Sequence, residues 1–227
     1  MIPTLTLLLA SCLPSATPET EHYDPQPGDI LLFRTPGLAR AVVYALGCSP
    51  GVTHCGVVVA RPDGSLGLLE APGNDYPTMI SDIPSRHDYH KGTCWVRRRC
   101  TPLTPEQCKC LTEFACRQEG KPFFFAGVFI PPFGKPIPKC FRRCVKPEQL
   151  EPGRWFCSPL VVAALMSAGV LDLCDAKPWF VDPQDLKADT WLDLSCGWEK
   201  PTKWLRCGEK KECWLSISCC GQHQWWK

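Results

Sequence analysis

Cys157 stands at a position that favours a thiolate. It precedes an apolar run that predicts a core helix from Cys157 to Ala168, ended by Gly169. Backbone N–H groups and the positive end of the helix dipole therefore point at its sulfur. The dipole contributes about 0.3–2 kcal/mol, and a neighbouring imidazolium usually stabilises a thiolate more than the dipole does. Cys157 is accordingly a candidate nucleophile, with a buried structural cysteine as the alternative.

His54 is the candidate base for this thiol. It lies at the start of the predicted strand Thr53–Ala60, and a catalytic base benefits from a rigid support. The other four histidines fall in predicted tails or in a predicted polar loop: His22, His223, His87 and His90. A structural histidine is the alternative for His54.

Glu70 is the candidate third member of the site. It lies in the apolar segment Leu66–Ala71, where a carboxylate is unexpected unless it is paired. It could accept a hydrogen bond from His54 and fix the tautomer of the ring. A two-residue turn at Asp63–Gly64 would set His54 opposite Gly73, so this pairing needs a longer loop or a bulge. A solvent-facing edge glutamate is the alternative.

The elements that would position these residues are short strands and a few helices. A capping box is predicted at Thr104–Gln107, with Pro105 at the first helical position and Gly120 after the end. The predicted strands are Ile30–Phe33, Thr53–Ala60, Leu66–Ala71 and Cys94–Arg97, and a further helix is predicted over Leu38–Leu46. The segment Phe123–Pro138 is predicted to be an apolar loop over the core or over a cleft.

Composition limits the classes of function. The formal net charge of the 227 residues is +2, which does not indicate the strongly basic surface that nucleic-acid binding needs. Seventeen cysteines is an odd number, so at least one thiol stays outside intramolecular disulfides. Cys219, Cys220 and His223 form the one cluster near metal-ligand spacing, but four ligands cannot be named. No cofactor is predicted.

The N-terminus has features of an export signal. The run Met1–Cys12 is apolar, too short to span a bilayer as a helix, and ends in Leu-Ala-Ser-Cys, which resembles a lipoprotein cleavage box. Cys12 is the predicted lipidated residue. The lipid would anchor the exported chain to a membrane, which predicts a location in the cell envelope or periplasm. The predicted organisation is a signal and linker over 1–27, one domain over 28–205, and a Cys/Trp-rich tail over 206–227.

Four segments in this order, GDILLFR, THCGVVVA, LLEAP and WFCSPLVVAAL, resemble the permuted NlpC-type papain-like proteins, specifically the YiiX/YebB-like group. The resemblance covers Gly28 to Leu186. It implies an α+β, circularly permuted papain-like fold, with a small antiparallel sheet packed against helices. It also implies Cys157 as nucleophile, His54 as base and Glu70 as the orienting residue. The sequence departs from the group at Pro159, where a glutamate is usual.

The resemblance implies a thiol hydrolase that cleaves an amide or ester bond through an acyl-enzyme on Cys157. The implied substrates are peptides, peptidoglycan peptides or lipid acyl esters, and relatives similar to lecithin retinol acyltransferase keep acyl transfer open. The alternative is a catalytically inactive, cysteine-rich binding module on the same fold. Counting thiols discriminates the two, because an enzyme needs a free reactive thiolate.

Overall fold

The computed structural model describes residues 18–20, 22–36, 51–73, 76–130 and 144–206. This part of the chain is a mixed α+β structure around one sheet of seven strands. The sheet has the order β1-β7-β6-β2-β3-β4-β5, and all neighbours are antiparallel except β1 and β7. The strands are β1 Glu19–Thr20, β2 Ile30–Arg34, β3 His54–Ala60, β4 Leu66–Glu70, β5 Met79–Ser81, β6 Thr93–Arg97 and β7 Thr202–Trp204.

Four α-helices accompany the sheet in the described residues. They are α1 Ile83–Tyr89, α2 Pro105–Gln118, α3 Cys157–Ser167 and α4 Asp185–Ala188. Short 3-10 helices lie at Phe125–Phe129, Pro147–Leu150 and Pro178–Phe180. None of the described helices is both long and apolar enough to cross a membrane.

The two faces of the sheet carry different packing layers, because successive side chains of a strand alternate between faces. On one face, which we call the helix face, Cys55, Val57 and Leu69 pack with α2 and α3 in the larger core. On the other face, Val58 and Leu68 pack with Ile83 of α1 in a smaller core. Helix α3 is buried along its whole length except Ser167, as its apolar sequence predicts.

The hairpin of β3 and β4 sets the register of the site. Its loop is five residues long, from Arg61 to Ser65, and Gly64 adopts the left-handed conformation with φ +85°. This loop is longer than the two-residue turn considered above, and it pairs Gly56 with Glu70. Glu70 is therefore diagonal to His54 on the same face, within reach of a long side chain. The required shift in register comes from the loop.

Most of the local predictions for the helices are confirmed. Thr104 accepts a hydrogen bond from the backbone N–H of Gln107, and the Gln107 side chain accepts from the backbone N–H of Thr104. Helix α3 ends two residues before Gly169, which has φ +63°. The predicted helix Leu38–Leu46 lies outside the described residues.

Three sequence-based expectations differ from the structure. His87 lies in α1 and His90 caps it, and both are buried, so the predicted polar loop there is wrong. The segment Phe125–Phe129 forms a 3-10 helix where an irregular loop was predicted. The sheet begins at Glu19–Thr20, before Gly28, where the folded part was expected to start. The domain boundaries proposed from the sequence otherwise remain predictions.

One disulfide is present in the described part of the chain. It joins Cys144 to Cys174, which are separated by 30 residues. Helix α3 lies between the two half-cystines, so the bond encloses the segment that carries Cys157. The other eight cysteines of the described residues are unpaired: Cys55, Cys94, Cys100, Cys108, Cys110, Cys116, Cys157 and Cys196.

Candidate active site

Cys157 is the first residue of α3, as predicted, and is 6% exposed. Phe156 precedes it as the helix cap and makes no side-chain capping hydrogen bond, so the N–H groups of the first turn remain available to an anion. Pro159 lies at the third helical position, where proline fits without breaking the helix. The Ser158 hydroxyl donates to the carbonyl of Val181 at 2.7 Å and ties the start of α3 to the following segment.

His54 and Glu70 form a buried pair across the β3–β4 hairpin. The distance between His54 Nε2 and Glu70 Oε2 is 2.6 Å, and Glu70 is 1% exposed. The alternative considered for Glu70, an edge glutamate that faces solvent, is therefore excluded. This pair uses Nε2, which leaves Nδ1 of the ring for a bond to the Cys157 sulfur. The three side chains proposed from the sequence thus meet in one place.

Glu70 is held from a second side by residues that the sequence analysis missed. The Arg86 Nε–H of α1 lies 2.9 Å from both carboxylate oxygens, and the Ser81 hydroxyl donates to Oε1 at 2.5 Å. The Arg86 guanidinium also lies over the Phe33 ring, 4.7 Å from its centroid. Both oxygens of the carboxylate are thereby engaged, which fixes Glu70 for its bond to His54.

The electrostatics of the site favour an ion pair. Burial by itself would lower the pKa of His54, but hydrogen bonds and negative charge from Cys157 and Glu70 outweigh it and raise that pKa to about 9. Burial by itself would raise the pKa of Glu70, but the bond and charge of His54, with Arg86 and Ser81, lower it to about 2. His54 is therefore an imidazolium and Glu70 a carboxylate at neutral pH.

The Cys157 thiol has its pKa lowered well below the usual value. The largest cause is a hydrogen bond from the Cys55 thiol. A hydrogen bond and the positive charge from His54 add to it, and together these effects exceed the opposing effect of burial. The backbone N–H of Cys55 also donates to this sulfur. These effects favour the thiolate form of Cys157, and Cys55 is a partner of it that the sequence analysis missed.

An aromatic cluster lies beside Cys157. The rings of Trp155 and Trp179 stack, with centroids 5.6 Å apart, and Phe156 and Phe124 contact Trp179 at 5.9 and 6.4 Å. The Trp155 Nε1–H donates to the Gln118 side chain at 3.0 Å, which fixes the buried end of the stack. Phe124 and Trp179 are half-buried, so this cluster, which includes the two residues before Cys157, presents apolar surface to solvent.

The remaining predicted sites lie outside the described residues. These are Cys12, proposed for lipidation, and the cluster Cys219, Cys220 and His223, considered for metal binding. Within the described ranges, no group of three or more His, Cys, Asp or Glu side chains is placed to hold a metal ion.

Comparison with known proteins gives a distant likeness to a solved structure. No family model matches the chain, and no curated protein matches it. Among solved structures, the chain is similar to the crystal structure of the metalloprotein YiiX from Escherichia coli O157:H7, labelled DUF1105. The identity is 23%, the TM-score is 0.47, and the match covers 66% of this chain and 69% of that one. The permuted NlpC-type assignment made from the sequence remains a proposal.

Proposed function

We propose that this protein is a thiol hydrolase or acyltransferase on a circularly permuted papain-like fold of the NlpC type. The observation that carries the proposal is the chain of contacts Cys157–His54–Glu70, with a thiolate at a helix start, an imidazolium beside it and a carboxylate behind. Nucleophilic catalysis by cysteine uses a thiolate and a base, and a third group often orients the base.

The proposed reaction begins with attack of the Cys157 thiolate on the carbonyl carbon of an amide or ester. The backbone N–H of Cys157 donates a hydrogen bond to the developing oxyanion, in the manner of an oxyanion hole. The leaving amine or alcohol takes the proton of the His54 imidazolium, which yields an acyl-enzyme. Neutral His54 then removes a proton from water or another nucleophile, which resolves the thioester and restores the thiolate–imidazolium pair.

The proposed role of Glu70 is to orient His54 and to stabilise its charge. The carboxylate touches the ring nitrogen that faces away from Cys157, so it has no direct access to the reacting carbonyl. Arg86 and Ser81 support Glu70 in this scheme, because they donate hydrogen bonds to its carboxylate and hold it in place. Glu70 is thus a positioning residue in this scheme.

The proposed substrates are peptide or peptidoglycan amides and lipid acyl esters. The half-buried rings of Phe124 and Trp179, in the aromatic cluster that includes the two residues before Cys157, support an apolar group near the scissile carbonyl.

We also propose, from the sequence, that the protein lies in the cell envelope with a lipid on Cys12. Intact-mass measurement of membrane-fraction protein tests it, and an unmodified Met1 terminus would reject it.

A second candidate is the inactive binding module, which the low exposure of Cys157 favours. The decisive experiment measures labelling by iodoacetamide and by a cysteine-directed acyl electrophile at pH 6, with peptide mapping. We expect Cys157 to react faster than exposed thiols such as Cys110, and we expect His54→Ala to abolish this preference. Cys94→Ala, which removes a buried thiol on the opposite face of the sheet, is the control and should leave the labelling unchanged. Equal labelling of all exposed thiols with Cys157 inert would favour the binding module.

A further inference from the structure

A second thiol lies against the candidate nucleophile. Cys55 directly follows His54 in β3, but its side chain points to the helix face and is fully buried in the same core as Cys157. Helix α3, which begins at Cys157, packs on β3, which carries Cys55. Cys55 contacts the Cys157 sulfur through both its thiol and its backbone N–H.

This arrangement exceeds what hydrolysis needs. In the proposed reaction the Cys55 thiol only donates a hydrogen bond to the Cys157 thiolate. A serine at position 55 would donate that hydrogen bond without adding a second sulfur. The contact with Cys157 makes Cys55 the neighbouring thiol that could close a disulfide with it, in which the two sulfurs lie about 2.05 Å apart.

We propose that Cys55 is a resolving cysteine, which closes a reversible disulfide with Cys157 after a hydroperoxide has oxidised the nucleophile. The inference rests on the proposed function only in taking Cys157 as the reactive thiolate. The disulfide would protect Cys157 from irreversible oxidation and switch the site off until a thiol reductant reopens it.

The chemistry has two balanced steps. In the first, the Cys157 thiolate attacks one oxygen of the hydroperoxide ROOH, the O–O bond breaks, and Cys157 becomes a sulfenic acid as alkoxide or hydroxide leaves and takes a proton from His54. In the second, the Cys55 sulfur attacks the sulfenic sulfur, the S–O bond breaks, and the hydroxyl leaves as water with the proton of the Cys55 thiol. The hydroperoxide is reduced by two electrons, and the two cysteines supply them.

The two thiols are unlike in a way that suits these roles. Burial, together with the hydrogen bond and negative charge at Cys157, raises the pKa of Cys55 well above the usual value, so Cys55 stays a thiol while Cys157 is a thiolate. Oxidants therefore attack Cys157 first. Oxidation of Cys157 to a neutral sulfenic acid removes the negative charge that opposed ionisation of Cys55. The Cys55 sulfur can then attack the sulfenic sulfur.

The test oxidises the full chain with hydrogen peroxide, blocks free thiols, and maps peptides by mass spectrometry with fragmentation. In the wild type we expect a peptide pair linked through Cys55 and Cys157, and a full return of Cys157 alkylation after treatment with a thiol reductant. In Cys55→Ala we expect sulfinic or sulfonic acid at Cys157 and no recovery. Cys55→Ser keeps the size and a hydroxyl that can donate to the Cys157 thiolate, so it removes the second sulfur alone, and we expect the same irreversible oxidation of Cys157 in it.

The matched control is Cys94→Ala, since Cys94 is also a buried free thiol but lies on the opposite face of the sheet. It should form the same linked pair as the wild type. The proposal is overturned if the oxidised wild type carries sulfinic acid on Cys157 without a linked peptide, or if the Cys55 variants recover as fully as the wild type. These readouts need no substrate, so failure to find any hydrolytic turnover would count against the proposed function and leave this result standing.

Discussion

Replacing Glu70 by glutamine tests the electrostatic design of the site. Glutamine keeps the shape and one oxygen, which can accept from His54 and Arg86 in place of Oε2, while its NH₂ group takes the place of Oε1 beside Ser81. It removes the negative charge at 2.6 Å from the ring. An opposite charge within a few ångströms moves a pKa by roughly 1–3 units, which is about 1.4–4 kcal/mol. The pKa of His54 should therefore fall from about 9 by roughly 1–3 units in Glu70→Gln.

We expect the pKa of His54 to fall by an amount in the upper part of this range. In the wild type Arg86 and His54 both donate to Glu70 Oε2, so their positive charges lie on either side of one carboxylate. Once the carboxylate charge is gone, the guanidinium repels the imidazolium directly and lowers the pKa of His54 further. Loss of the imidazolium also weakens the thiolate of Cys157, so alkylation of that thiol should slow at mildly acidic pH.

The measurement is an NMR titration of the five histidines, with the His54 resonance assigned by its loss in His54→Ala. The control is Asp88→Asn, which removes an exposed carboxylate whose Oδ1 is 3.8 Å from His87 Nδ1, and which should leave the pKa of His54 unchanged. Turnover in Glu70→Gln should fall less than in His54→Ala, whose loss as general base costs about 10²–10⁴-fold. An unmoved pKa of His54 in Glu70→Gln would refute the assignment of Glu70 as its charge partner.

Four further outcomes are expected. Cys157→Ala should abolish turnover and probe labelling with an unchanged circular dichroism spectrum, and retained turnover would reject the nucleophile. Because the folded-state pKa of Glu70 is lowered from 4.5 to about 2, its contribution to stability is complete above pH 4.5 and disappears as the pH falls towards 2. Denaturant unfolding should show the free energy of unfolding decreasing across this window, and an equally steep decrease in Glu70→Gln would contradict this origin. Thr104→Ala should cost about 0.5–2 kcal/mol of unfolding free energy through loss of the helix cap, whereas an unchanged midpoint would mean that the cap adds nothing. Gly56→Ala should cost about 1–3 kcal/mol, since the added Cβ would lie 2.8 Å from the Leu68 side chain and 3.0 Å from the backbone oxygen of Leu69, and a stable variant would show that β4 can shift.

The parts of the fold that the sequence predicts are those with local causes. The capping box at Thr104, the β3–β4 hairpin and the apolar helix α3 each depend on residues within one element or one turn. Helix α1 had such a signal too, with Asp82 accepting from the Ser85 N–H and Pro84 in the first turn. Its seven residues carry too few apolar positions to give a clear helical period.

The contacts that the sequence did not predict depend on elements that meet only after folding. Arg86 reaches Glu70 because α1 packs beside β4, and nothing near either residue indicates this pairing. Cys55 approaches Cys157 because α3 lies across β3, a contact between residues about a hundred positions apart. The catalytic candidates were found because their chemistry is unusual for their local surroundings, whereas the residues that hold them are ordinary in theirs.

The Cys144–Cys174 disulfide closes a ring of chain around the nucleophile's helix. In the chain-entropy description, a ring of this length reduces the freedom of the unfolded ensemble by about 3–4 kcal/mol at 25 °C. A strong reductant that keeps Cys157 free therefore also opens this ring and lets α3 unravel more readily. The proposed enzyme needs the Cys144–Cys174 bond joined and the sulfurs of Cys55 and Cys157 apart, so its surroundings must reduce these two pairs to different extents.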